Sequence, residues 1–386
     1  MMRLTNSDLT ELTHWRRKMH MFPEISGEEA ETAARVVAAL EPLGPDLIET
    51  GLGGHGVAAL FRGRDAKQRV MIRCELDALP IEELSDAPHR SQVPGKGHLC
   101  GHDGHMAVLM GLARLLSRER FDHLDVLLLF QPAEETGAGA AAVLAEERFC
   151  VLAPDCALSL HNVPGEPLGQ VSLAAGPVNC ASRGMRVRLA GKTAHASQPE
   201  TGVSPGLALA EITQGLAAML RGTPAEADFR MATVTHMSMG EQAFGVAPGA
   251  GEIWATLRTL TDEGMADLVG DAEGLVHRAA EELGVTIDYH DVFPASVNDA
   301  DLMVLARDAL SDTGLTLTDT PLPMRWSEDF GRFAEICPTV MLFPGSGRST
   351  PALHNPDYDF PDDLIAIGVD MFSAILTRLD RLKRPS

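Results

Sequence analysis

Short apolar runs alternate with longer amphipathic stretches along the first half of the chain. The apolar runs are of strand length and lie at 57–61, 70–72, 126–130 and 156–160. The stretches with helical spacing lie at 6–22, 28–40, 105–116 and 138–147. Because short buried runs separated by amphipathic helices are typical of a sheet with helices packed on it, this pattern predicts an α/β domain with a mixed sheet covered by helices.

From about residue 183 the pattern changes. The predicted elements there are a strand at 185–189, a helix at 205–220, strands at 229–236 and 252–259, a helix at 262–283 and a strand at 285–290. This β-α-β-β-α-β order is typical of a small, two-layer, ferredoxin-like domain.

The chain then returns to the first pattern. A helix is predicted at 300–310, a strand at 339–343 and a closing helix at 362–382. We therefore expect one domain inserted into another. The predicted catalytic domain comprises 1–180 and 292–386, and the inserted domain comprises 181–291.

Composition limits the partners. The chain has 386 residues, which is enough for two domains, and its formal net charge of -22 disfavours nucleic acid and anionic lipid surfaces. Charged residues interrupt the N-terminal stretch, and no apolar run reaches membrane-spanning length, so we expect a cytoplasmic protein without a membrane partner. Six scattered cysteines do not suggest a disulfide framework.

A cluster of metal-ligand residue types occupies 97–105, with the sequence Gly-His-Leu-Cys-Gly-His-Asp-Gly-His. Transition metals favour imidazole, thiolate and carboxylate donors, and the glycines allow tight turns between them. The candidates Cys100 and His102 are two positions apart, so both side chains can point at one ion. A polar loop with Asp103 as a helix cap is the alternative.

Further donors follow predicted strands. Glu134 and Glu135 come directly after the strand at 126–130, His161 follows the strand at 156–160, and His354 lies in a turn near the C-terminus. Adjacent carboxylates repel each other unless a positive charge lies beside them. One glutamate could bind a metal ion while the other acts as a general base; a solvated first turn of a helix is the alternative. Cys100, His102, Glu135, His161 and His354 are too many donors for one open tetrahedral zinc site, but they suit two ions that share a thiolate.

Two more residues are candidates on weaker grounds. Asp77 follows the strand at 70–72 and could orient a metal-bound imidazole, or it could pair with Arg73. His195 lies in the inserted domain, far in sequence from the other donors. It would have to reach over an active site in its own chain or in a partner, or it is simply part of a surface turn.

These motifs, taken in order, resemble the aminoacylase/carboxypeptidase metallopeptidases. The similarity is greatest to the amidohydrolase branch that contains hippurate hydrolase and the indole-acetyl-amino-acid hydrolases. The motifs span most of the chain and are Arg17-x-x-His20-x-x-Pro23-Glu24, Asp77-Ala78-Leu79-Pro80, His98-x-Cys100-Gly101-His102-Asp103-x-His105, Phe130-Gln131-Pro132-Ala133-Glu134-Glu135, Gly191-x-x-Ala194-His195-Ala196, Ser327-Glu328-Asp329-Phe330 and Leu353-His354-Asn355-Pro356.

The resemblance implies a role for each candidate. Cys100 would bridge two divalent ions, His102 and His161 would complete one site, and Glu135 and His354 would complete the other. Glu134 would be the base, and His195 would reach the active site of a partner subunit and stabilise the oxyanion. The resemblance thus implies a homodimer in which the inserted domain serves for dimerisation or as a lid.

The chain departs from its relatives at two places. Relatives usually carry Ala-Asp-Met-Asp where this chain has Cys74-Glu75-Leu76-Asp77, and an Asn that helps bind the substrate carboxylate is replaced by Gly245. Arg258 matches a family arginine and could still contact the substrate.

The sequence therefore predicts a dinuclear metal-dependent amidohydrolase that cleaves an N-acyl amino acid, or a related N-acyl or aryl amide, to an acid and an amine. Zinc or manganese is expected, with cobalt as a further candidate. The alternatives are an aryl-amine deaminase on the same ions, a thiol hydrolase that uses Cys100, and a metal-containing scaffold protein without activity.

Overall fold

The computed structural model describes residues 3–382, which form two compact units. The first unit comprises the chain up to Val178, Ser296–Leu322 and the chain from Asp329 onward; the second comprises Asn179–Ala295 and Pro323–Glu328. The short segment Pro323–Glu328 was placed in the catalytic domain by the sequence analysis, but it packs with the second unit. The two units are described separately below.

Nine α-helices are found within residues 3–382. They are α1 (Asn6–Met21), α2 (Ala30–Leu40), α3 (His102–Arg118), α4 (Gly139–Leu144), α5 (Glu147–Cys150), α6 (Gly206–Ala217), α7 (Asp262–Ala279), α8 (Ala300–Ser311) and α9 (Asp363–Leu382). Short 3-10 helices lie at Glu41–Leu43, Pro199–Thr201 and Asp329–Glu335.

Seventeen strands are found in the same part of the chain. They are β1 (Leu47–Leu52), β2 (Gly56–Phe61), β3 (Gln68–Glu75), β4 (Leu124–Gln131), β5 (Cys156–Leu160), β6 (Val163–Pro164), β7 (Val171–Ser172), β8 (Gly176–Asn179), β9 (Ala181–Ala190), β10 (Ala194–His195), β11 (Arg230–Met239), β12 (Val246–Ala247), β13 (Ala250–Thr259), β14 (Gly284–Phe293), β15 (Ser296–Asn298), β16 (Leu317–Thr318) and β17 (Thr339–Gly347).

The first unit is built on a large mixed sheet, as the sequence predicts. Its strand order is β1-β2-β4-β3-β5-β17-β7-β16, with β6 paired to β17. The pairs β4 with β3, β3 with β5 and β5 with β17 are parallel, whereas β2 pairs antiparallel with both β1 and β4. Every residue of β2 and β5 is buried, so both faces of the sheet are covered at these strands.

Helices α1, α3, α8 and α9 contribute to the same hydrophobic core as the central strands. The core includes Leu12, Leu109, Leu128, Met371 and Phe372, all nearly inaccessible to solvent. Helix α3 is buried along almost its whole length, because it packs against both α1 and α9 as well as β3. This central position fixes the start of α3, where His102 is the first helical residue and Cys100 lies two positions before it.

The predicted helix at 6–22 agrees with α1, whose N-cap Thr5 forms a capping box with Asp8. A second predicted helix differs from the observed ones. The single helix predicted at 138–147 is interrupted, because Glu146 adopts an extended conformation between α4 and α5. The break allows Arg148 to donate hydrogen bonds to Glu49 and to the main-chain oxygen of Thr50.

The second unit contains a four-stranded antiparallel sheet with strand order β11-β13-β9-β14. Helices α6 and α7 pack together and bury Leu209, Ile212, Leu268 and Val276 in a core separate from that of the first unit. A small two-stranded sheet joins β10 to β12.

No helix among residues 3–382 is long and apolar enough to cross a membrane. No disulfide links the six cysteines, all of which lie in the described range.

Candidate metal centre and active site

Three neighbouring parallel strands bring candidate residues to one edge of the sheet. Asp77 follows β3, Glu134 and Glu135 follow β4, and His161 follows β5. Since β4 lies beside β3 and β3 beside β5, in parallel, the loops at their carboxyl ends are adjacent. The sheet topology therefore brings Asp77 and His161, which are 84 positions apart in the sequence, to the same edge of the sheet.

Two further donors lie at the start of α3, where Cys100 precedes the helix and His102 is its first residue. Gly101 precedes the helix with a φ of 95°, and a side chain there would collide with the amide oxygen of Asn162. Only glycine fits this close approach, and it lets the chain turn sharply between Cys100 and His102. His354 arrives from the loop after β17, itself with a φ of 66°, which is rare for a residue with a side chain.

The structure brings all five predicted ligands together in two groups. Ligand atoms of Cys100, His102 and His161 lie within 4.8 Å of one another, and so do those of Cys100, Glu135 and His354. Two donors that each bind zinc at about 2.0–2.3 Å are at most about 4.6 Å apart, so both groups are close to the size that an ion requires. Cys100 belongs to both groups, which is the arrangement expected of a bridging thiolate.

Hydrogen bonds to the main chain orient the rings of the two buried histidines. The Nδ1 of His102 lies 2.8 Å from the main-chain oxygen of Asp77, and the Nδ1 of His161 lies 2.9 Å from that of Asn162. A carbonyl oxygen only accepts hydrogen bonds, so both Nδ1 atoms carry a proton, and in the neutral form of each ring Nε2 has a lone pair. The Nε2 of His161 lies 3.4 Å from the sulfur of Cys100.

Electrostatics support a cation at this place. Burial holds the pKa of His161 well below its ordinary value, so the ring is neutral, as a ligand must be. Burial also opposes charge on His102, but the carboxylates of Asp77, Glu75 and Glu135 outweigh it and raise its pKa to about 10. The buried acidic groups thus stabilise positive charge where the ligand atoms converge, and the donor set fits a pair of divalent ions.

Glu134 and Glu135 occupy a tight turn. Ala133 has a φ of 50°, and the amide of Glu135 donates a 2.9 Å hydrogen bond to Oδ2 of Asp77. Glu135 lies 3.6 Å from Nε2 of His354, and Glu134 lies 3.7 Å from Nε2 of His102. Glu134 is 5% exposed, so a carboxylate is held beside both ligand groups in a nearly dry environment.

Asp77 contacts the ligands in a way that the sequence did not specify. The nearer acceptor for Nδ1 of His102 is the main-chain oxygen of Asp77, whereas the carboxylate Oδ1 of Asp77 lies 3.5 Å from that nitrogen. The other carboxylate oxygen, Oδ2, accepts from the hydroxyl of Ser26 as well as from the amide of Glu135. The carboxylate of Asp77 therefore orders the Glu134–Glu135 turn.

A buried polar network that the sequence analysis missed lies next to these ligands. The guanidinium of Arg73 donates to Glu75, Gln131 and Asp329, and Gln131 also donates to Asp329. His105 lies 2.6 Å from Glu75 and 2.7 Å from Asn162, so it is engaged away from the metal-ligand groups that include Cys100. The alternation of Arg73 and Glu75 along β3 could have indicated that both side chains lie on one face of the sheet.

The remaining candidates lie in the second unit. His195 is exposed in β10, with its Nδ1 2.7 Å from the hydroxyl of Ser197. The main-chain oxygen of Gly245 accepts a hydrogen bond from Ala196, and a side chain at Gly245 would meet no atom within 4 Å. Arg258, in β13, donates to the main-chain oxygen of Arg325 and to the hydroxyl of Ser327.

Comparison with known families agrees with this architecture. Residues 71–378 match Peptidase family M20/M25/M40 over most of the chain. The chain belongs to this family. The resemblance inferred from the motifs is thereby confirmed.

Relatives in the M20 family include amidohydrolases. The chain is 33% identical over 335 residues to the N-acetyl-L-cysteine deacetylase of Bacillus subtilis, covering 86% of this chain and 79% of that protein. It is 30% identical over 380 residues to the IAA-amino acid hydrolase ILR1-like 4 of Arabidopsis thaliana, covering 94% of this chain and 84% of that protein.

Among solved M20 structures, the YxeP protein of Bacillus subtilis is similar, with a TM-score of 0.81 and 26% identity over 97% of this chain and 99% of that chain. That protein is described as a dinuclear metal-binding peptidase.

Proposed function

We propose that this protein is a dinuclear metal-dependent amidohydrolase that cleaves an N-acyl amino acid, or a related N-acyl or aryl amide, to an acid and an amine. One observation carries the proposal. Two groups of ligand atoms share Cys100, and the carboxylate of Glu134 lies beside them. Similarity to deacetylases and to an amino acid conjugate hydrolase favours an amide substrate.

The ligands suit zinc or manganese, with cobalt as a third choice. Cys100, His102 and His161 would hold one ion, and Cys100, Glu135 and His354 the other. When bound, such ions lower the pKa of a water molecule and polarise a substrate carbonyl. The thiolate favours zinc, whereas Glu135 is an oxygen donor that manganese also accepts.

Glu134 would carry out both proton transfers. Glu134 accepts a proton from the attacking water as the carbon–oxygen bond forms, and it then donates that proton to the amide nitrogen as the carbon–nitrogen bond breaks. The products are a carboxylic acid and an amine. Burial of Glu134 excludes solvent that would compete for the proton.

We infer that the second unit acts in dimerisation or as a lid, and that His195 stabilises the developing oxyanion at the active site of a partner subunit. Within residues 3–382, this unit exposes several large apolar side chains, which favours an interface between copies of the chain. They include Leu207, Met237, Met239 and Phe244. Arg258 is the proposed contact for a substrate carboxylate.

The proposal is tested with the purified protein, after chelation and after re-addition of Zn²⁺ or Mn²⁺. The substrates are N-acetyl, N-benzoyl and N-indolylacetyl amino acids together with the same amides lacking the carboxylate. We expect release of acid and amine that is abolished by the chelator and restored by metal. Ammonia without a second organic product would instead indicate a deaminase, and inactivity on every substrate with metal fully bound would contradict the proposal.

A thiol hydrolase is the second candidate, because Cys100 lies 3.4 Å from Nε2 of His161, which is within reach of a nucleophile–base pair. The metal experiment separates the two functions. Activity that survives complete removal of metal would favour the thiol mechanism, whereas dependence on added metal excludes it.

A further inference from the structure

A buried carboxylate binds the main chain on each side of the proposed base. The amide of Glu135, which follows Glu134, donates to Oδ2 of Asp77 at 2.9 Å. The amide of Ala133, which precedes Glu134, donates to Oε1 of Glu29 at 2.8 Å. Glu29 is 104 positions from Ala133 in sequence and has no assigned role in the proposed mechanism.

Glu29 occupies the N-cap position of α2 but does not cap that helix. N-cap side chains normally accept a hydrogen bond from the second or third amide of their own helix. Here Glu24, from the preceding loop, accepts from the third amide, that of Thr32, at 2.6 Å. The side chain of Glu29 therefore remains available for Ala133, and it also accepts from Gly27 at 2.9 Å.

The position of Glu29 is costly for the fold. Its side chain is inaccessible to solvent, and within residues 3–382 its Oε2 has no hydrogen-bond partner. Burial raises the pKa of Glu29, and the nearby Asp77 raises it further. Buried polar atoms without partners are rare in folded proteins, and they call for an explanation in function or in local strain.

The segment that Glu29 binds is itself strained. Ala133 has a φ of 50°, a left-handed conformation that residues with a side chain seldom adopt. Such conformations persist only where neighbouring contacts determine them. Gly139 donates to the main-chain oxygen of Ala133, and Gly137 donates to that of Glu134, so the turn closes on its carboxyl side. Within the turn, the amide of Ala133 donates to Glu29 and the amide of Glu135 donates to Asp77, and these two hydrogen bonds hold its conformation.

We propose that Glu29 is a positioning residue, which holds Ala133 in its left-handed conformation and thereby aims Glu134 as the base and Glu135 as a ligand. This inference rests on the proposed function, because it assigns a purpose to the turn that carries Glu134. Asp77 and Glu29 then act as a pair, one on each side of the base. Neither side chain needs to contact substrate for this role.

The test compares three substitutions of Glu29. Glu29→Gln keeps an acceptor oxygen at the same reach without the charge, whereas Glu29→Asp keeps the charge but is one methylene too short for Ala133. Glu29→Ala removes both. Glu24→Ala is the matched control. It removes the hydrogen bond that the Thr32 amide of α2 donates to Glu24, which lies in the same loop as Glu29, without touching the Glu134 turn.

We expect kcat to fall about 10- to 100-fold in Glu29→Ala and Glu29→Asp, with KM changed less than about threefold, since comparable supporting residues have effects of that size. Glu29→Gln should retain kcat within about threefold of the original protein. Glu24→Ala should lower the melting temperature but leave kcat of the folded protein unchanged. A Glu29→Gln variant as damaged as Glu29→Asp, or a Glu29→Asp variant as active as the original, would overturn the proposal.

A second measurement does not depend on activity. Hydrogen exchange of the amides at 133–135, measured on chelated protein, should accelerate at least about tenfold in Glu29→Asp but not in Glu29→Gln or Glu24→Ala. If the original protein proves inactive as an amidase, the proposed function fails while this measurement still decides whether Glu29 holds the turn. Unchanged exchange at 133–135 in Glu29→Asp would refute the positioning role. If Glu29→Ala does not fold, the Asp and Gln variants still decide between the outcomes.

Discussion

Glu134 and Glu135 are identical neighbouring side chains to which the proposed function assigns different roles. Glu135 belongs to the ligand group of Cys100 and His354, whereas Glu134 lies 3.7 Å from His102 and is outside both groups that contain Cys100. We expect Glu134→Gln, which preserves volume, to lower kcat about 10²- to 10⁴-fold, the range for loss of a general base. Elemental analysis should find the same metal content in the Glu134→Gln variant and in the original protein.

Retention of near-normal turnover in Glu134→Gln, with metal bound, would show that another group takes the proton. Loss of metal together with activity would instead make Glu134 a ligand. Glu134→Ala should behave like the Gln variant if proton transfer is the cause.

Gly245 should determine how tightly the enzyme binds the substrate carboxylate. Its φ is not left-handed, and a side chain there would meet no atom within 4 Å, so the backbone does not require glycine at this position. The family resemblance implies an Asn here. We expect Gly245→Asn to lower KM for N-acyl amino acids several-fold, by about 1 kcal/mol for one added hydrogen bond, without affecting amides that lack a carboxylate.

Gly245→Ala is the control, because it fills space without adding an amide. An equal change in KM for both substrate classes, or the same effect from Ala and Asn, would exclude carboxylate recognition at this position.

The candidate ligands could be selected from the sequence because each follows a strand or lies in a turn. Their supporting partners could not. Glu29 reaches Ala133 across 104 positions, and Gln131 reaches Asp329 across 198. Such hydrogen bonds depend on how distant segments pack, and no local pattern encodes that.

At the scale of elements, apolar runs located the buried strands of the first unit, but its half-buried edge strand was missed. The sequence predicted β2, β3, β4 and β5 because all of them are nearly fully buried. The edge strand β1 was missed, since only Leu52 of its six residues is buried and it carries polar side chains. Strands of two residues, such as β6 and β10, are too short to show any periodicity.

The start of α1 provides a test of stability separate from the active site. Asp8 accepts from the amide and hydroxyl of Thr5 and pairs with Arg118 and Arg114 of α3. The hydrogen bond from Arg118 is the main cause that holds the pKa of Asp8 far below its ordinary value. We expect Asp8→Asn to lower the free energy of unfolding by about 1–2 kcal/mol at pH 7, with kcat unchanged.

The pH dependence follows from the direction of that shift. A carboxylate with a depressed pKa stabilises the fold above its unfolded pKa, near 3.9, and this contribution is lost as the pH falls toward the folded value. Urea unfolding should therefore show a smaller difference between the two proteins at pH 3 than at pH 7. A difference that stays constant between these pH values would mean that the charge of Asp8 contributes nothing.

At the scale of the molecule, the change of pattern near residue 183 and its reversal after 290 predicted an inserted unit. The long elements of the second unit occur in the predicted order. Its segment Pro323–Glu328 was not predicted to belong there, because six residues without a helix or long strand carry no signal of their own. The three segments of the first unit share one sheet, in which β16 and β17 from the second half of the chain pair with β7 and β5 from its first half.

The proposed use of His195 in trans makes a prediction about mixed dimers. Glu134→Gln and His195→Ala should each be nearly inactive alone. In a hybrid dimer, the His195→Ala subunit keeps its own Glu134 and receives His195 from its partner, so one of the two active sites is complete. Two differently tagged chains, co-expressed and purified through both tags, should thus regain about half of the original activity, because C2 symmetry provides two equivalent sites. If His195 acts within its own chain, neither site of the hybrid is complete, and the purified hybrid will be as inactive as its parents.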